Sequence, residues 1–177
     1  MEEGLRVILT KEEIEAKVGE LGEILSREYE GKNPVLISVL RGSVYFAVDL
    51  SRKISTPFTL DFISISRYGG GSNPFGIVRI TKDLDVNISS RHVLVIEDIV
   101  DTGLSLNYLL RNLKTRDPAS LKVCTLLNVE GRRIANVPVD YKGFDLPDIF
   151  VVGYGLDYKE EYRNLTCIAE FKGGEEK

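Results

Sequence analysis

Two near-continuous apolar runs of strand length constrain this chain most: Val35-Leu36-Ile37-Ser38-Val39-Leu40, entered through Pro34, and His92-Val93-Leu94-Val95-Ile96. A strand with one face in water alternates apolar and polar residues. A run that is apolar throughout needs cover on both faces, as parallel strands between helices have. Each run stops abruptly, the first at Arg41-Gly42-Ser43 and the second at Glu97-Asp98. Around them the spacing turns helical. Thr10-Lys11-Glu12-Glu13 has the form of a capping box, and Ile14, Val18, Leu21, Ile24 and Leu25 follow on one helical face, with Gly31 available as a stop. Val44 to Ile54 predicts a second helix, and Leu106, Leu109, Leu110 and Leu113, ahead of Pro118, a third. Thr59 to Ser66 and Leu121 to Leu127 read as further strands, and Tyr68-Gly69-Gly70-Gly71-Ser72-Asn73-Pro74 as a mobile loop. The alternation predicts an α/β fold with a central, mainly parallel sheet flanked by helices. At 177 residues and 43% hydrophobic content, without repeats or linkers, the chain suits one domain.

Charge and composition exclude several function classes. The 23 Lys and Arg against 27 Asp and Glu give a net charge of −4, which argues against nucleic acid or anionic lipid as a partner, since both reward a cationic surplus. No apolar run approaches the ~20 residues of a membrane helix. The start, Met1-Glu2-Glu3-Gly4, is acidic where a secretory signal would be basic, so the expectation is a soluble cytoplasmic protein. Cys124 and Cys167 lack metal-ligand spacing and read as buried thiols, while the one histidine, His92, stands at the front of a strand. Acid–base chemistry must then come from carboxylates, tyrosines or lysines.

The segment Glu97-Asp98-Ile99-Val100-Asp101-Thr102-Gly103-Leu104-Ser105 concentrates the chemistry. Three carboxylates follow a buried strand within five residues, and a Thr-Gly turn feeds a helix. Ligands of open α/β sheets bind at the carboxyl ends of strands, and a helix N-terminus offers free amides to a phosphate. Glu97 and Asp98 can accept from a vicinal diol or hold a hard divalent cation, Asp101 can face a different group, and Thr102, Gly103 and Ser105 suit a monophosphate. Carboxylates beside a phosphate cradle point to a sugar phosphate. The chain has no Gly-x-x-x-x-Gly-Lys-Ser/Thr loop and no Gly-x-Ser-x-Gly elbow.

Val93-Leu94-Val95-Ile96-Glu97-Asp98-Ile99-Val100-Asp101-Thr102-Gly103 resembles the phosphoribosyl-pyrophosphate (PRPP) signature of type I phosphoribosyltransferases, most nearly in its hypoxanthine-guanine form. The resemblance runs through Leu40-Arg41-Gly42-Ser43, Arg67-Tyr68, Lys82-Asp83-Leu84-Asp85, Gly143-Phe144-Asp145-Leu146-Pro147-Asp148, Phe150 to Tyr158 and Tyr162-Arg163-Asn164-Leu165. It implies a single domain over residues 1–177, with a small hood from the N-terminal segment and roughly residues 130–177. The implied activity is purine salvage: transfer of the phosphoribosyl group of PRPP to N9 of hypoxanthine or guanine, giving IMP or GMP and pyrophosphate, with Mg2+. By the resemblance, Glu97 and Asp98 bind the ribose hydroxyls directly or through magnesium, and Asp101 to Ser105, Leu104 included, wrap the 5′-phosphate. Asp101 is the proton acceptor beside the purine. Leu40, Arg41, Gly42 and Arg163 meet pyrophosphate, the Leu40–Arg41 peptide being cis, and Tyr68 closes over the site. Asp157 holds magnesium, Phe150 stacks on the base, and the Val151 main chain flanks its edge.

One position departs from the family. A lysine that donates to the purine 6-oxo group is replaced by Val129 in Leu126-Leu127-Asn128-Val129-Glu130-Gly131-Arg132-Arg133. Three readings are open: Asn128 turns its amide inward, an arginine of Arg132-Arg133 reaches back, or the pocket favours adenine or another base such as xanthine. Arg67 stands where a serine is usual. A PRPP-binding regulator with little catalysis is the rival from another class. The resemblance also implies a homodimer or homotetramer acting on small molecules, with no nucleic-acid or membrane partner.

Overall fold

A computed structural model describes residues 4–68 and 77–172. In chain order the elements are β1 (Leu5–Leu9), α1 (Lys11–Glu28), β2 (Val35–Leu40), α2 (Val44–Ser51), β3 (Thr59–Tyr68), β4 (Ile77–Lys82), β5 (His92–Val100), α3 (Leu104–Lys114), β6 (Ser120–Asn128), β7 (Tyr141–Asp145), β8 (Val151–Val152) and β9 (Ile168–Phe171). Six strands form the main sheet in the order β4-β3-β2-β5-β6-β7. The pairs from β3 through β7 are parallel, and β4 adds an antiparallel edge. The chain turns from β2 to one side and from β5 to the other, so the crevice beyond the carboxyl ends of these neighbours is the topological switch point where such sheets bind ligands.

The apolar runs are buried on both faces, as their composition requires. Leu36, Leu94 and Ile96 join the core beneath α1 and α2, while Val35, Ile37, Val93 and Val95 join a second core beneath α3. The capping box of α1 forms in full: the Glu13 amide donates to Thr10 Oγ1, and the Thr10 amide donates to the Glu13 carboxylate. Removing such a cap costs about 1 kcal/mol. The second helix stops at Ser51, three residues before its expected end at Ile54.

The strand β5 runs four residues past the apolar segment, because β6 continues alongside it and pairs Ile99 with Leu127 and Val100 with Asn128. Glu97 and Asp98 are therefore strand residues, not loop residues. Ile96 and Ile99, three apart, pack on the same core. The two-residue alternation is broken between them, which lets adjacent carboxylates open on one cleft.

The hood is a three-stranded sheet, β1-β9-β8, joining the terminal segments in antiparallel pairs. It is narrower than residues 130–177 suggest, since β7, within that stretch, extends the main sheet. Cys124 is buried and free, with burial pushing its thiol pKa up, whereas Cys167 is only half-buried, just before β9. His92 Nδ1 lies 2.8 Å from Ser120 Oγ across the starts of β5 and β6. No helix among the described residues is long and apolar enough to cross a membrane.

Candidate active site

The loop after β2 is shaped by Ser43, whose buried hydroxyl donates to Val39 O at 2.7 Å and lies 2.7 Å from Ser38 Oγ. The Leu40–Arg41 peptide is cis. A Cβ built on Gly42 would stand 1.7 Å from Asp98 Oδ2, so only glycine lets this loop press against the carboxylates of β5. Gly103, at the N-cap of α3, adopts φ 75°. A Cβ there would meet Ala135 O at 2.8 Å. Its neighbour Thr102 O accepts from Ile134 and Ala135 amides, which fastens the turn after β6 onto this loop. Gly103 gives α3 no side-chain cap, and the Leu104 amide makes only a long, 3.5 Å bond to Thr102 Oγ1, so the first amides remain suited to an anion.

These elements enclose a cleft of about 310 Å³ lined by Leu40, Arg41, Gly42, Glu97, Asp98, Asp101, Gly103, Ser105, Asp157 and Arg163, with Val39, Ile65, Ile99, Val100 and Leu106 completing the wall. The first ten are candidate site residues by sequence. Burial pushes the Glu97 carboxyl well above the usual range, and the charges of Asp98 and Asp101 push it further. Burial also lifts Asp98 to about 6, opposed by hydrogen bonds from the Ile99 amide and its own and by the Arg163 charge. A pair of crowded, desolvated carboxylates favours a cation or hydroxyl donors as a neighbour. Among the described residues, no group of three or more carboxylate, histidine or cysteine ligands closes into a metal cage.

On the opposite wall Arg163 donates from Nη1 to Gly155 O at 2.7 Å, and its Nη2 lies 2.8 Å from Asp157 Oδ1 and 3.4 Å from Glu160 Oε2. Arg41 Nη2 reaches the other Glu160 oxygen at 2.8 Å. One carboxylate thus links two cations converging from separate loops. Glu160 went unnoticed in the sequence because its partner Arg41 is 119 residues away and nothing local marks the pair.

Toward the hood, Phe150 is 42% exposed and meets Tyr158 edge-on, with centroids 5.9 Å apart. Val151 is buried and pairs with Glu170 in β9. Asn128 and Val129, at the end of β6, are each 2% exposed. The Asn128 amide donates to Asp145 Oδ1 at 2.7 Å, and its carbonyl oxygen accepts from Arg133 Nη2. A carboxylate on one side and a guanidinium on the other fix the amide orientation. Asn128 is therefore not a free donor turned inward, and Arg133 is the arginine of the Arg132-Arg133 pair that reaches back to it. The expectations for the Tyr68 and Arg67 side chains, and for the loop over residues 69–76, lie outside the described residues.

A family profile described as phosphoribosyl transferase domain matches residues 6–159. The hypoxanthine-guanine phosphoribosyltransferase of Mycobacterium avium is 49% identical over 168 residues, covering 92% of this chain and 83% of that protein. A Staphylococcus aureus hypoxanthine phosphoribosyltransferase structure superposes with a TM-score of 0.91 at 44% identity, covering 94% of this chain and 91% of that one. A Trypanosoma cruzi hypoxanthine phosphoribosyltransferase variant complexed with the product IMP superposes with a TM-score of 0.91 at 40% identity, covering 97% and 93%.

Proposed function

Because this chain belongs to the phosphoribosyl transferase domain family, we propose that its cleft transfers the 5-phosphoribosyl group of PRPP to N9 of hypoxanthine or guanine, releasing pyrophosphate. The chain is a transferase of purine salvage. The observation that carries it is the meeting, at one switch point, of the Glu97-Asp98 pair, the start of α3 and the Arg41 and Arg163 side chains.

The amides of the Gly103–Ser105 turn and the hydroxyls of Thr102 and Ser105 hold the 5′-phosphate. Glu97 and Asp98 accept from the ribose hydroxyls, fixing the ring with its anomeric carbon toward Asp101. As the bond to pyrophosphate breaks, negative charge grows on the leaving group, and Arg41, the Gly42 amide and Arg163 stabilise it where it forms. Asp101 accepts the proton of the purine five-membered ring and opposes the positive charge that develops on the base. Phe150 stacks on the purine, with the Val151 main chain at its edge. Glu97, Asp98 and Asp157 are the residues that would hold Mg2+, which when bound neutralises the pyrophosphate oxygens. This reading places one phosphoribosyltransferase domain over residues 1–177, acting in the cytoplasm as a homodimer or homotetramer.

The test is the initial rate of pyrophosphate release with Mg2+, PRPP and, separately, hypoxanthine, guanine, xanthine and adenine. Turnover of hypoxanthine or guanine, falling about 100-fold in Asp101→Asn, is the expected result. Turnover of adenine or xanthine alone would refute the assigned base, and PRPP binding without turnover would mark a regulator.

A further inference from the structure

We propose that Arg133 is a specificity-determining residue, supplying the cationic donor that recognises the 6-oxo group of the purine. The inference rests on the phosphoribosyltransferase reading and deepens it at the base pocket.

A 6-oxopurine entering beside Asp101 brings an acceptor that must be matched, since a buried carbonyl without a donor loses its hydrogen bonds to water. The neighbouring donors are nearly all committed. Val129 has none to give from its side chain, and its amide donates to Val100 O. The Asn128 amide is held by Asp145, Lys142 pairs with the same Asp145 carboxylate, and Arg132 pairs with Asp148 at 3.1 Å. Arg41 and Arg163 face Glu160 and Asp157 on the pyrophosphate side.

Arg133 differs from its neighbours at the end of β6; the other buried guanidinium nitrogen without a partner among the described residues, Arg163 Nε, belongs to the wall with Gly155 and Asp157. Arg133 Nη2 is anchored on Asn128, while Nη1 is buried and has no hydrogen-bond partner. A buried charged donor left unpaired is costly, and native proteins retain such groups where a ligand or water completes them. The position suits a base. The Arg133 Cδ lies 3.3 Å from where a Cβ of Gly103 would stand, two residues beyond Asp101. The anchor on Asn128, whose Cα partner in β5 is Val100, holds the guanidinium between the ends of β5 and β6. Asp145 fixes Asn128, Asn128 fixes one side of the guanidinium, and the other side is left to read the substrate. An arginine so placed donates but cannot accept, so it favours an oxo over an amino group at the six-position.

The test compares wild type with Arg133→Met, Arg133→Lys and Arg133→Gln, measuring kcat/KM for hypoxanthine, guanine and adenine and the KM for PRPP. Arg133→Met is expected to lower kcat/KM for hypoxanthine and guanine by about 10- to 100-fold. Adenine turnover and the PRPP KM should stay within about twofold, and Arg133→Lys should recover part of the loss. If Arg133→Met does not fold by circular dichroism, Arg133→Gln, which keeps a donor for Asn128 but no charge, carries the same comparison. An unchanged hypoxanthine-to-adenine ratio in a folded variant overturns the inference, as does an equal loss on every base, which marks a merely structural role. Wild-type protein inactive on both 6-oxopurines overturns instead the proposed function on which the inference stands.

Discussion

Asp98→Asn should make the ligand-free protein more stable at neutral pH while weakening its hold on PRPP. Burial lifts the Asp98 carboxyl from the ordinary 3.8 to about 6, so the folded chain binds this proton more tightly than the unfolded chain does. Below pH ~4 both states are protonated and the fold bears no cost. Between ~4 and ~6 the unfolded chain ionises first and stability falls with rising pH; above ~6 the whole difference is lost. A separation of about two pKa units corresponds to about 3 kcal/mol, an upper bound because water reaches the cleft. Asparagine does not ionise, and its oxygen still accepts from the Ile99 amide, whose bond to Asp98 is 2.9 Å long. The gain over wild type should therefore be about 1 kcal/mol at pH 4.5 and up to about 3 kcal/mol at pH 7.5. In a chain of this size that is about 5–10 °C in Tm at the higher pH. Thermal unfolding without Mg2+ or PRPP at the two pH values measures it. A variant no more stable than wild type at pH 7.5, or a gap equal at both, would refute the argument that desolvation of this carboxylate strains the fold.

Gly103→Ala should lower both Tm and kcat/KM: the left-handed φ costs an L-residue about 1–2 kcal/mol, and the new Cβ would meet Ala135 O at 2.8 Å. Differential scanning calorimetry and initial rates check the pair together. Glu160→Gln should reduce the KM for pyrophosphate in the reverse reaction by about two- to fivefold, since it weakens exposed ion pairs to Arg41 and Arg163 that the anion must replace. A raised KM would mean that Glu160 positions the two cations. Thr10→Ala should cost about 1 kcal/mol in urea unfolding with kcat/KM unchanged, because the capping box lies on α1, away from the cleft.

The fold was legible where short-range rules govern. Val35–Leu40 and His92–Ile96 announce covered strands by composition alone, and the Thr10–Glu13 box sets the start of α1 within four residues. The small strands escaped. Val151–Val152 has only two residues, and its pairing is decided by β9, seventeen residues on, which in turn is placed by β1. Arg41-Gly42 was readable because it follows a strand whose end the sequence marks, and Glu97-Asp98 because the carboxylates interrupt the apolar run of β5. The setting of Asn128 was not, because it is built across the chain: Asn128 needs Asp145, and the turn carrying Arg133 is fastened by Thr102, about thirty residues earlier. The sharing of Glu160 between two arginines is likewise a property of distance in space, which no periodicity records.

The hood sheet joins the earliest strand to the latest, and this imposes an order on how the enzyme comes into being. The segment bearing Phe150 is held by the Phe171 amide, which donates to Phe150 O at 3.0 Å, and the strand of Phe171 is in turn paired with β1. During synthesis, β2, β5, α3 and β6 can assemble once β6 has emerged. The segment bearing Phe150 must wait until residues 168–171 leave the ribosome and find β1, so the cleft between β2 and β5 takes shape before that segment is held in place.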